Sequence, residues 1–155
     1  MGNSLIITKS TLDEVYDLSP RLREDDRREV IASGSSPEQA LLLGLINSEE
    51  CLSAYTKDHK LIGMFGYSVI KENPTLAAIW FLGSDEIEKY PLTFVRDGKK
   101  FINKWNEKYT LVNCVYSQNK THIKYIEALG CTIKYNSPVD INGEIFYPFY
   151  KHKKG

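Results

Sequence analysis

The chain has 155 residues, 20 of them basic and 20 acidic, so its formal net charge is zero. That length fits one ordinary domain that buries a full core without metal or disulfide staples, and the charge balance removes the electrostatic case for a nucleic-acid or membrane-surface protein. Cys51, Cys114 and Cys131 are odd in number and lack C-x-x-C spacing, which points to buried thiols in a reducing compartment. The apolar runs ALLLGLI and LAAIWFL are too short to span a bilayer, and the first residues carry no charged-then-apolar signal pattern. A soluble protein of a cytoplasm, or of a particle made there, is the expectation.

In chain order, Leu5 to Thr8 reads as a short strand. Thr11 with Glu14 three residues on fits a capping box, and Leu12, Val15 and Tyr16 give the helix it opens an apolar stripe. Pro20 interrupts that helix. RLREDDRREV continues as a charged stretch, readable as a solvated helix face laced with i,i+4 ion pairs or as a polar wall over a cleft. After the loop ASGSS, Ser36, Pro37 and Gln39 form a helix start, and PEQALLLGLINS is apolar on a wide face that suits packing on a sheet. Cys51 to Lys57 and Leu61 to Ile70 read as strands joined by a tight turn whose tip, His59, is a surface residue rather than a base. Gly63 and Gly66 inside the second of these mark a bulge or a close backbone approach. Beyond the Asn73-Pro74 turn, Thr75 to Leu82 is the most apolar strand and should be central.

Pro91 to Tyr109 reads as a long helix, with Val95, Ile102, Trp105 and Tyr109 on one stripe and Phe94 and Phe101 beside it. Aromatics at that spacing belong to a core rather than to a stacking platform. In LVNCVYSQNKTHIKYIEALGC, the β-forming run Leu111 to Tyr116 fits a strand buried on both faces. Asn119 caps a helix carrying Ile123, Ile126 and Leu129 at helical spacing, and Gly130 closes it. Cys131 to Asn136 is a strand, Asp140 to Gly143 a turn, and Ile145 to Tyr150 a last strand in which Pro148 argues for an edge or a bulge. The basic tail 151–155 is expected to fray. The order is β-α-α-β-β-β-α-β-α-β-β: one α/β domain over 1–155, a central mixed sheet of about seven strands with about four helices.

The run NKTHIKYIEALGC resembles the last strand–helix unit of the Gcn5-related N-acetyltransferase (GNAT) fold, which ends in N-x-x-x-x-x-x-Y-x-x-x-G-F. PRLREDDRREV, MFGYSV, IWFLGSDEI and NCVYSQNKTHIKYIEALG, in that order over most of the chain, also resemble the acetyltransferase-like proteins of tailed phages, some of them internal virion proteins. The resemblance implies a GNAT-like fold with acetyl-CoA or another acyl-CoA in a cleft between two splayed parallel strands, here those ending near Leu82 and Tyr116. It implies either an acyl-CoA-dependent N-acyltransferase of phage type, acetylating an amine, or a catalytically inactive relative. The inactive form would act as an internal virion component or host-protein binder, in the bacterial host cytoplasm or within the virion.

Site residues follow from the same resemblance. The pyrophosphate loop falls at LGSDEIEK, where free amides at a helix N-terminus would bind an anion; Leu82, Gly83 and Ser84 there, and Asn119 after the Leu111–Tyr116 strand, are the cofactor-binding positions. Only Gly83 and Ser84 are small there, and Asp85, Glu86 and Glu88 would repel a pyrophosphate by about 1 kcal/mol each. The tyrosine that such enzymes use as general acid would stand at the position of Ile126. Its neighbour Tyr125 is rotated away by about 100°, so Tyr116 is the candidate acid and Glu29 the candidate base. Arg27 and Asn113 are the candidate substrate contacts. Zinc spacing, G-x-S-x-G, a Walker loop and a paired-histidine motif are all absent, and no metal is expected.

Overall fold

The computed structural model describes residues 4–154. In chain order the elements are β1 (Ile6–Lys9), α1 (Leu12–Leu18), α2 (Glu24–Ala32), α3 (Pro37–Asn47), β2 (Glu50–Tyr55), β3 (Leu61–Val69), β4 (Leu76–Gly83), α4 (Pro91–Asn106), β5 (Thr110–Tyr116), α5 (Lys120–Ala128), β6 (Thr132–Ile133), β7 (Val139–Ile141) and β8 (Glu144–Lys151). The eight strands form one sheet in the order β1-β2-β3-β4-β5-β8-β6, with β7 also paired to β8. All pairs are antiparallel except β4 with β5. The fold is the mixed α/β architecture read from the sequence, with one more helix and one more strand.

Both additions have local causes. Pro20 opens a 3-10 turn at Ser19–Arg21, and Leu22 and Arg23 are then extended, with ψ of 141° and 151°. There Leu22 bridges Ser84, and the Arg23 amide donates to the Gly83 carbonyl at 2.9 Å. The charged stretch is therefore pinned to the end of β4 before it coils as a helix of its own. The extra strand arises because the turn before β8 is shorter than expected. In this turn the two residues Asn142 and Gly143 have positive φ, 54° and 83°, which suits a two-residue hairpin, so Asp140 and Ile141 pair with β8.

Pro148 marks neither an outer edge strand nor a bulge, because β8 lies between β5 and β6. Its outer partners are β6 at Phe149 and Tyr150 and β7 at Glu144 to Phe146, and Pro148 stands in the gap between them. With no N–H to donate outward, it limits β6 to two residues instead of the six expected. Gly66 serves a close approach: a Cβ there would lie 2.2 Å from the Glu50 carbonyl oxygen, while the β2–β3 register shift falls at Ala54/Tyr55. The tail is docked rather than frayed as far as it is described. Lys151 ends β8, the Lys153 amide donates to Thr110 Oγ1 at 3.0 Å, and that of Lys154 donates to the Asn106 carbonyl at 3.0 Å.

Core packing follows the pleat. On one face Val15, Leu18 and Leu41 of α1 and α3 meet Met64 and Leu82. On the other, Ile102 and Trp105 of α4 and Ile126 of α5 meet Ala77, Ile79, Leu111 and Val115. The α4 aromatics are core, as their spacing predicts: Phe65 and Phe101 meet edge to face with centroids 5.4 Å apart, and Tyr67 and Trp105 pack tilted at 4.9 Å, pairs worth about 0.5–1.5 kcal/mol each beyond burial. All three cysteines are free. Among the described residues, no helix is long and apolar enough to cross a membrane, and no group of three His, Cys, Asp or Glu side chains is arranged to hold a metal ion.

Candidate functional site

β4 and β5 pair only over Leu76–Ala78 and Thr110–Val112 and then separate. Edges left unpaired by that splay must satisfy their polar groups some other way. Asn113 bridges its closed end, with Nδ2 donating to the Ile79 carbonyl at 2.7 Å and Oδ1 accepting from the Cys114 amide at 2.7 Å. At its open end α2 reaches both strands. Asp26 Oδ2 accepts from the Gly83 amide of β4 at 2.9 Å, and Glu29 Oε1 accepts from the Tyr116 amide of β5 at 3.2 Å. Strand parity puts the Phe81 amide on the same edge as that of Gly83, facing the splay.

The carboxylates of α2 belong to a buried polar cluster with the N-terminus of α5. Arg23, 2 % exposed, pairs with Asp26, 1 % exposed, and sends both terminal nitrogens to Asn119 Oδ1 at 3.2 Å. Asn119 Nδ2 donates to Asp26 Oδ1 at 2.9 Å and to Glu29 Oε1 at 3.1 Å, while its Oδ1 caps the His122 amide at 3.3 Å. His122 Nδ1 lies 3.3 Å from Glu29 Oε1. Two basic side chains thus face two acidic ones. Burial holds the Asp26 carboxyl above its usual range against the opposing pull of His122 and Arg23. Burial pushes His122 down, but Glu29 and Asp26 outweigh it, and the imidazole titrates above its ordinary 6.5.

A raised histidine pKa fixes the sign of one prediction. The contribution is full below 6.5 and is lost as pH rises through the higher folded value. Urea unfolding across that window should show the protein losing stability with rising pH, and His122→Gln should flatten the loss. An unchanged slope in the variant would refute the assignment.

A cavity of about 420 Å³ runs through the splay from one face of the sheet to the other. Val30, Leu43, Trp80 and Phe146 line it on the α2–α3 side, and Phe81, Phe94, Phe101 and Tyr125 on the α4–α5 side. Glu29, Asn113 and His122 stand between. The volume lies in the range of small-molecule sites.

The structure distributes the sequence-selected residues unevenly. Glu29, Asn119 and Asn113 do meet at the splay, but Asn119 is fully buried and serves the cluster and the α5 cap, and both polar atoms of Asn113 are spent on the strands. Arg27 does not face the cleft; its half-exposed side chain pairs with Glu24 at 3.7 Å on the solvent face of α2. Tyr116 contributes its amide only, because its hydroxyl donates to Glu144 Oε1 at 2.7 Å, away from Glu29. Leu82 packs in the α1–α3 core. Gly83 and Ser84 offer no anion cradle. The Gly83 amide is held by Asp26, that of Ser84 by the Ile62 carbonyl at 2.9 Å, and those of Glu86 and Ile87 by Ser84 itself. The nearby lysines, Lys60 and Lys89, pair with Glu86 at 3.7 and 2.9 Å. The splay is therefore an open, largely apolar slot, and the loop after β4 offers no free amides for a phosphate at Gly83 or Ser84.

Arg23, Asp26 and His122 were missed. A signal existed: Asp26 lies three residues before Glu29 and four before Val30, and His122 lies three and four residues before Tyr125 and Ile126, so both share the buried face of their helices. Tyr125 lines the cavity, and its hydroxyl donates to the Ile87 carbonyl at 3.4 Å.

Among solved structures, the chain is similar to the ribosomal-protein-S5-alanine acetyltransferase of Vibrio fischeri, with 18% identity over 99% of this chain and 96% of that one and a TM-score of 0.62. It is similar to a GNAT superfamily phosphinothricin acetyltransferase of Sinorhizobium meliloti in complex with AcCoA (12%, 96% and 88%, TM-score 0.68). A Bacillus subtilis acetyltransferase in complex with CoA also matches (15%, 97% and 99%, TM-score 0.62). The fold is GNAT-like. No protein-family model and no curated protein sequence matches the chain. Within the GNAT-like fold, the β4–β5 splay is the distinctive opening of this sheet, and here it is bridged by side chains of α2 and β5.

Proposed function

We propose that this chain is an acyl-CoA-dependent N-acyltransferase. The observation that carries the reading is the β4–β5 splay, with an apolar cavity through it and the Glu29–His122 pair at its open end. The bound donor would supply an activated carbonyl. The chain's own part is to orient and to move protons. The Phe81 amide, on the unpaired edge, is a donor for developing negative charge on an oxygen. Glu29 Oε1 takes all the contacts of that carboxylate, and Oε2 makes no hydrogen bond among the described residues, so it is open to accept a proton from an amine. His122, whose charged form is favoured by Glu29 and Asp26 against the cost of burial, is the proton source at the other end of the pair.

Titration of the protein with acetyl-CoA and with CoA in a calorimeter, followed by a thiol-release assay with amine acceptors, tests this. Acetyl-CoA should bind below millimolar concentration and release free CoA only when an amine is present. No binding at millimolar ligand would overturn the proposal.

The second reading is a catalytically inactive GNAT-like phage protein, an internal virion component or host-protein binder. It is favoured by Asp26, which has closed the Gly83 amide to any pyrophosphate. Under it the protein binds neither CoA nor acetyl-CoA and consumes no donor.

A further inference from the structure

The cavity carries information about the acceptor. Its walls are mostly apolar on both sides of the sheet, and exposed Leu43 is among the residues that line it. Its volume of about 420 Å³ corresponds to about fourteen water-sized units, enough for an alkyl or arylalkyl body. Among the described residues no lysine or arginine lines it. The acids that do are Glu29 and Asp97, and they are not equivalent. Asp97 is answered by Arg96 at 3.1 Å and the Leu5 amide at 2.8 Å. Glu29 shares its single engaged oxygen among three donors and keeps Oε2 uncommitted.

We infer that the acceptor is an apolar amine, its hydrocarbon body in the cavity and its nitrogen at Glu29 Oε2. The inference rests on the N-acyltransferase reading and names its substrate class. A carboxylate of the same length would meet Glu29, and among the described residues the one basic group lining the cavity, His122, is already paired. A small hydrophilic amine would leave the walls unfilled and gain nothing from them. In transfer, the amine nitrogen bonds to the acyl carbon and the carbon–sulfur bond breaks. The proton lost by nitrogen goes to Glu29, and the departing thiolate takes one from His122.

The readout is built into the chain, because its two tryptophans, Trp80 and Trp105, both line the cavity. Tryptophan emission of the wild-type protein, without any acyl donor, is followed during titration with octylamine, octanol and octanoate. Octylamine should bind about ten- to a hundredfold more tightly than octanoate, with octanol between them. Glu29→Gln should bring octylamine down to the level of octanol, and thermal melting checks that this variant folds. If it does not, the wild-type comparison decides alone. Octanoate binding as well as octylamine, or no emission change with any probe, overturns the inference. Acetylation of small hydrophilic amines with octylamine ignored also overturns it, and does so while leaving the N-acyltransferase reading intact. Failure of that reading shows separately, as octylamine binding with no CoA released.

Discussion

Replacing Asp26 by Ala is expected to destabilise the protein by about 3–5 kcal/mol, the cost of breaking a buried ion pair from one side. Arg23 would remain 2 % exposed with only Asn119 and the more exposed Asp25 and Glu88 to answer it, and the Gly83 amide would lose its acceptor. For a domain of this size that is a fall in melting temperature of roughly 6–20 °C. Asp26→Asn should cost less, because its carbonyl oxygen still accepts from Gly83. Urea unfolding of the three proteins checks the order, and a loss below about 1 kcal/mol for the alanine variant would show the cluster to be structurally idle. The same substitution has a functional counterpart. It frees the Gly83 amide and removes one carboxylate from Arg23, so the folded Asp26→Ala protein should bind CoA more tightly than the wild type. Stability and pyrophosphate affinity are opposed at this one side chain.

Glu29→Gln is expected to lower the turnover number for an amine acceptor by about 10²–10⁴ while acetyl-CoA affinity stays near that of the wild type. The substitution is nearly isosteric. The amide oxygen can still accept from Tyr116 and Asn119, so the strands remain bridged. What disappears is a basic oxygen where the carboxylate now has one uncommitted. Steady-state kinetics with acceptor at saturation separate the loss of proton transfer from the loss of binding. Activity within about threefold of the wild type would remove Glu29 from the chemistry.

The sequence carried most of the architecture because its signals were local. Caps at Thr11, Ser36 and Asn119, the continuous apolar run of β4 and the helical stripe of α4 each specify an element through neighbours a few residues away, and each element formed. Glu29 was legible too, as a carboxylate on a helix near the expected cleft. The remaining site was not. Arg23 and Asp26 lie 96 and 93 residues before Asn119, with His122 beyond it, and nothing local marks the four as one cluster. Charged residues in a charged run read as a solvated face, and only packing decides which turn of the helix is buried. Glu24, Arg27 and Arg28 of α2 do face solvent, while Asp26, one residue from Arg27, does not.

The sequence by itself therefore determined that this chain is an α/β domain with an acetyltransferase-like strand–helix order and an acidic loop after its central strand. Tertiary structure alone decided what happens where β4 and β5 part. Unpaired strand edges must find partners, and the partners available were carboxylates of α2 and the amide of Asn113. Those contacts take the Gly83 amide away from a pyrophosphate and place Glu29 beside His122 in an apolar cavity, which no spacing along the chain encodes.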